Sequence, residues 1–226
     1  MPISRWCLLA AVTVAVLGLM LSPGAVVAAQ FRTACQLAGA ASFAQAATSP
    51  DVFTYSFRGA LNGCRSRDTA SPPTGTVEAG QTITVPYYWS YVDAMTGATF
   101  SGNAYATYQE PIPSGTGGCS GSSGTGSALV TWADRSTTVL AFRSSGSAAA
   151  IGLNGTVLPS LGLALTGYTG PAQAPPGATY VVTSTRFASE SLRGVLFFEP
   201  PNPMLCNHLR RAQGPIGGEV GLGTTG

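Results

Sequence analysis

The sequence contains no lysine, and only 9% of its 226 residues are charged, against about a quarter in an ordinary globular chain. Eleven arginines stand against nine aspartates and glutamates. Nucleic-acid binding by phosphate neutralisation needs a clustered excess of base. Arg65 with Arg67 and Arg210 with Arg211 are the close basic pairs, and each reads as a solvated loop. No nucleic-acid partner is expected.

Histidine is nearly absent too. His208 is the single copy, so a Ser–His–acid triad would have to be built on it. It stands two residues after Cys206, no G-x-S-x-G occurs, and a surface position is the expectation. C-x-x-C and D-x-[DN]-x-[DN]-G are missing as well, which removes the local signatures of redox, zinc and EF-hand calcium sites. No cofactor or metal is expected. Acids are few and scattered: Asp134 reads as a turn former, Glu110 and Glu199 each precede proline, and Asp93 and Glu190 have no evident mate. Glycan hydrolysis by two carboxylates needs a matched pair across a bond, and it stands as the alternative reading.

What the chain does have begins with residues 1–29. Arg5 precedes an apolar run from Trp6 to Leu21, Ser22-Pro23-Gly24 breaks it, and Val26-Val27-Ala28-Ala29 supplies small residues. That order predicts a secretory signal peptide cut after Ala28 or Ala29, rather than an uncleaved anchor. Residues 30–226 are then one secreted domain with no further membrane span, long enough to bury a core. Cys35, Cys64, Cys119 and Cys206 remain, an even count that predicts two disulfides in an oxidising compartment. Three pairings are open. The expected one joins Cys35 to Cys64 on neighbouring segments and Cys119 to Cys206, tying a Gly/Ser-rich loop at 113–127 to the C-terminal part.

Gly126 to Ser160 carries the strongest strand signal. Ala128, Val130 and Trp132 alternate with Leu129, Thr131 and Ala133; Asp134-Arg135-Ser136 breaks the run, and Thr137 to Phe142 follows. This is a β-meander, with Asn154-Gly155 either a turn or a loosened point inside a third strand. Phe53, Tyr55 and Phe57 alternate with Thr54, Ser56 and Arg58 in another half-buried strand. Residues 30–49 read as a strand followed by a loop, with an alanine-rich helix as the competitor. Pro86 places its strand at an edge or a bulge. The expectation is an all-β fold, a β-sandwich or distorted barrel of about ten mostly antiparallel strands.

The segments T-A-C-Q-L-A-G, S-F-R-G-A-L-N-G-C, G-G-C-S-G, A-L-V-T-W-A-D, L-N-G-T-V and L-F-F-E-P resemble those of uncharacterised secreted β-rich proteins of high-GC actinomycete bacteria. The resemblance implies export from a bacterium and an all-β body, and it brings no catalytic residues. The one functional cluster is Tyr87, Trp89 and Tyr91, which share a face of an extended strand. Burial as core is the expected fate of that face; exposed, it would stack on sugar rings. The expected role is extracellular, non-enzymatic binding, with a glycan or other cell-envelope component as ligand.

Overall fold

Alternation builds the architecture. In the strand that holds Phe53, Tyr55 and Phe57, these three and Leu61 are buried while Thr54 and Arg58 face solvent, so one side of every such strand needs an apolar partner. The structure, a computed structural model, describes residues 31–46, 49–199 and 211–224. They form β1 (Phe31–Ala46), β2 (Ser49–Ser66), β3 (Gly75–Ala79), β4 (Thr82–Val92), β5 (Thr99–Gln109), β6 (Ser114–Gly118), β7 (Gly121–Trp132), β8 (Thr137–Ser147), β9 (Ala150–Leu158), β10 (Ser160–Tyr168), β11 (Thr179–Thr183), β12 (Ser191–Phe198) and β13 (Arg211–Thr224). No helix occurs among the described residues.

Eight staves close into an antiparallel barrel in which each stave pairs with its neighbours in sequence. β13 returns to β1 and seals the ring, with Phe31 opposite Thr224 and Ala44 opposite Arg211. One stave is composite. β3 pairs with residues 57–61 of β2, and β6 continues the same stave against residues 52–54. Between them the chain leaves the wall as the β4–β5 hairpin. It departs at Gly80, whose φ of 66° suits glycine, and returns through Pro113, whose carbonyl accepts the Tyr55 N–H at 3.0 Å. A second excursion, β10–β11, leaves between β9 and β12. The two excursions pair through β5 and β10 into a side sheet of order β11-β10-β5-β4.

The barrel is filled by its own side chains, among them Leu37, Phe57, Leu61, Val130, Leu140, Phe142 and Leu196. One end is sealed where Trp132, 2% exposed, donates its indole N–H to Thr138 at 2.9 Å. Phe187 packs edge-on against that ring at 5.5 Å. Arg186 lies over Phe187 and ties the closure down through Asp134 at 2.7 Å, Ser136 and the Ala70 carbonyl.

Several expectations change. The sandwich gives way to the barrel, because the β1–β13 ladder joins what would otherwise be two sheet edges. Of the 30–49 segment, expected as a strand followed by a loop, residues 31–46 are strand throughout and make the long stave β1. The 113–127 segment, expected as a loop, is the end of one stave and the start of the next, β6 and β7. Pro86 does lie on an edge strand, β4, which pairs with β5 alone among the described residues. Asn154-Gly155 falls inside β9 and is no turn.

Cys35 and Cys64 are joined across β1 and β2, with Cα atoms 4.1 Å apart. The bridge sits where the register slips between Ala34 and Gln36, opposite Gly63 at a φ of 56°. Cys119 is also disulfide-bonded; Cys206, its expected partner, lies outside the described residues, as do residues 1–29 and His208. One bridge therefore has both ends in view.

Candidate functional site

Tyr87, Trp89 and Tyr91 project from one face of β4 and are half-buried, while Tyr88 on the opposite face is 65% exposed. Tyr87 meets the Tyr168 ring edge-on at 5.7 Å and donates its hydroxyl to the Pro175 carbonyl at 3.4 Å. It packs beside a small cluster of Ala106, Tyr108 and Leu163 that is separate from the barrel core. Trp89 lies over Gly102 on β5, where a Cβ would come within 2.8 Å of the indole. A glycine roofed by a cross-strand aromatic keeps the hairpin ordered despite the missing side chain.

Beyond Trp89 the rings continue outward. Trp89 and Tyr91 have centroids 5.9 Å apart, Tyr91 and Phe100 5.5 Å apart, with planes inclined by only 23° and 25°. Phe100, 46% exposed, belongs to this row and sequence reasoning missed it. Its signal lay in the hairpin register, which sets Phe100 opposite Tyr91. The face expected to be core is thus buried only near the barrel and opens toward the hairpin tip. The loop after β10 covers its inner part, where the Tyr108 and Tyr168 hydroxyls reach the Gly177 and Ala174 carbonyls. Trp132, by contrast, is core as expected.

Charge separates the two bodies of the fold. Residues 82–109 and 160–183, which make the whole side sheet, contain one charged side chain, Asp93. Its carboxylate is turned inward on the hairpin turn, accepting the N–H groups of Thr96 at 2.8 Å and Met95 at 3.0 Å and the Thr96 hydroxyl at 2.9 Å. The Thr96 backbone bond leads the causes that hold its pKa below the usual carboxylate value. On this sheet and its hairpin turn lie seven of the eleven large hydrophobic side chains exposed among the described residues: Tyr88, Val92, Met95, Phe100, Tyr105, Tyr180 and Val181.

Among the acids, Glu78 and Glu110 lie close enough to feel one another's charge. Glu78 is engaged by Arg58 at 2.8 Å on the outer wall of the barrel. Glu110, 1% exposed, is sealed in the neck between barrel and side sheet. Its Oε2 accepts the Gln81 N–H at 3.0 Å and its Oε1 has no partner. Burial pushes its pKa up to about 7, with the nearby Glu78 charge adding to the rise and the Gln81 bond and Arg58 opposing it. A carboxyl shut away from solvent meets no substrate, so Glu110 is a structural group. No three of His, Cys, Asp and Glu among the described residues come together as a metal-holding group.

No family model, curated protein or solved structure matches this chain.

Proposed function

We propose that this is an exported, non-enzymatic binding protein in which the barrel is the scaffold and the side sheet the binding face. Its ligand is an uncharged polymer of the cell envelope, a neutral glycan. The observation that carries the reading is the near-total absence of charge from a sheet along which half-buried aromatic rings run out to exposed Phe100. Solvent-facing strands ordinarily carry charged side chains that keep edges and faces apart, and contiguous exposed apolar surface marks interaction sites. Hydroxylated aromatics and threonines suit the apolar faces and hydroxyl rims of pyranose rings better than they suit an ionic partner. Export, a bacterial source and a second bridge between Cys119 and Cys206 belong to the same reading.

Cosedimentation with insoluble neutral polysaccharides tests it. The wild type should be retained, and Trp89→Ala and Tyr91→Ala should each weaken retention by about tenfold, the scale of a central interface contact, without loss of fold. Reducing sugars should not accumulate. Retention that survives both substitutions, or turnover of the polysaccharide, sinks the proposal. So does concentration-dependent dimerisation abolished by the same substitutions with no glycan bound.

A further inference from the structure

The side sheet has two faces, and the aromatic row occupies one of them. Alternation along β4 turns Pro86, Tyr88 and Ser90 away from Trp89 and its neighbours. The register with β5 sets Tyr105 opposite Pro86 and Asn103 opposite Tyr88, so these side chains share the second face. Every β4 residue on that face is exposed, as are Asn103 and Tyr105 on β5. Tyr88 is 65% and Tyr105 59% exposed. They are diagonal neighbours, a relation that places residues roughly 7–8 Å apart, and Pro86 adjoins both. Among the described residues neither ring packs on another aromatic and neither hydroxyl has a hydrogen-bond partner.

The surroundings of the two phenols are hydroxylated and uncharged. The Thr84 and Thr107 hydroxyls meet at 3.1 Å, and the Thr169 hydroxyl accepts the Tyr105 N–H at 2.9 Å. Scattered exposed apolar side chains are ordinary, whereas contiguous ones mark an interaction site. Two features select the occupant. β4 is an edge strand among the described residues, but Pro86 lacks an N–H, so a strand added by a protein partner would find its ladder interrupted midway. Surfaces buried between identical subunits are also more apolar than this one. Apart from the two phenols, Pro86 and Val92, every β4 and β5 side chain on this face ends in a hydroxyl or an amide. Rings set among hydroxyls match a sugar, which has an apolar face and a polar rim.

We infer that the side sheet binds neutral glycan on both faces, the aromatic row taking one chain and Tyr88 with Tyr105 a second, so that one molecule bridges two polymer strands. The second site rests on the glycan reading of the first and shares no side chain with it. Its phenols stack on sugar rings, and Ser90, Asn103 and Thr107 meet the sugar hydroxyls.

A sandwich assay tests the bridge. Cellulose particles, and separately starch granules, are coated with the full chain, disulfides intact, then washed and offered labelled hydroxyethylcellulose or labelled amylose. Particles carrying the wild type should capture the labelled chain. The double variant Tyr88→Thr, Tyr105→Thr keeps strand-forming residues at exposed positions, so it should melt where the wild type melts. It should stay on the particles and capture about tenfold less, the scale of a central contact. Trp89→Ala, loaded to equal coverage, should lose capture as well, because one remaining face holds one chain. Sedimentation velocity should find monomers throughout. Undiminished capture by the tyrosine variant overturns the inference and leaves the first face standing. So does a wild-type dimer that the two tyrosine substitutions dissociate, since the phenols would then be a self-association surface. Failure of the wild type to settle with either solid overturns the inference and the glycan reading together.

Discussion

Glu110 is a carboxyl buried away from water, and its titration should be visible in the stability of the whole chain. Its folded pKa of about 7 lies above the ordinary 4.5, so the folded state binds the proton more tightly. Stability from this group is complete below about pH 4.5 and is lost as pH rises through about 7. Glu110→Gln should therefore flatten the fall between these values and raise stability at pH 8 by up to ~3 kcal/mol, at ~1.4 kcal/mol per unit of pKa. Denaturant midpoints of both proteins from pH 4 to 8 measure it; parallel curves would refute it. The two described tryptophans make a second contrast. Trp132→Ala removes a fully enclosed ring and the N–H that the Thr138 hydroxyl accepts, and should cost ~3–5 kcal/mol. Trp89→Ala uncovers a half-buried ring over a glycine and should cost no more than ~2 kcal/mol. Equal losses in thermal melts would mean that the side sheet is packed as tightly as the barrel.

Glycines report how closely neighbouring strands pass. A Cβ at Gly155 on β9 would collide with the Ala141 carbonyl and stand 2.9 Å from the Phe142 Cα, both backbone atoms of β8. At Gly102 it would meet only the Trp89 ring, which can swing away. Gly155→Ala should thus destabilise by ~1–3 kcal/mol, as overpacking does, and Gly102→Ala by clearly less; the reverse order in melting temperature would contradict the barrel wall. The same crowding explains what the sequence showed and what it hid. Phe53, Tyr55 and Phe57 alternate in large side chains, so β2 was legible from period two alone. β1 was not, since alanine serves helices as readily and Gly39 is there because β2 crosses so near, its Gly59 Cα 2.5 Å from where a Cβ would be. Gly115 and Gly126 lie under Phe53 and under Pro113 and Phe142, so the glycines expected to form a loop mark where rings pack against the strand. The aromatic row was legible as Tyr87, Trp89 and Tyr91, but Phe100 needed the hairpin register. That Tyr55 meets the Ser144 side chain could not be read from the sequence at all, because it depends on strands far apart in the chain.

Closure of the molecule rests on one covalent bond with both ends in view and one long ladder. The Cys35–Cys64 bridge closes a segment with a sequence separation of 29, for which chain entropy gives ~3.5 kcal/mol. A Cys35→Ala, Cys64→Ala double variant should lose about that much by urea denaturation while keeping the β spectrum of the wild type; an unchanged midpoint would show that the β1–β2 ladder holds without it. The ladder between β1 and β13 has a different consequence, one of time. Its two strands are the first and the last of the thirteen to be synthesised, and every other stave lies between them. Until residues 211–224 emerge, β1 and β12 both present open edges, and no shorter length of chain encloses an interior. Folding to the closed form therefore waits for residues 211–224 and is slow, since its decisive contact joins β1 to β13, and until then the chain carries unpaired edges that other chains can capture.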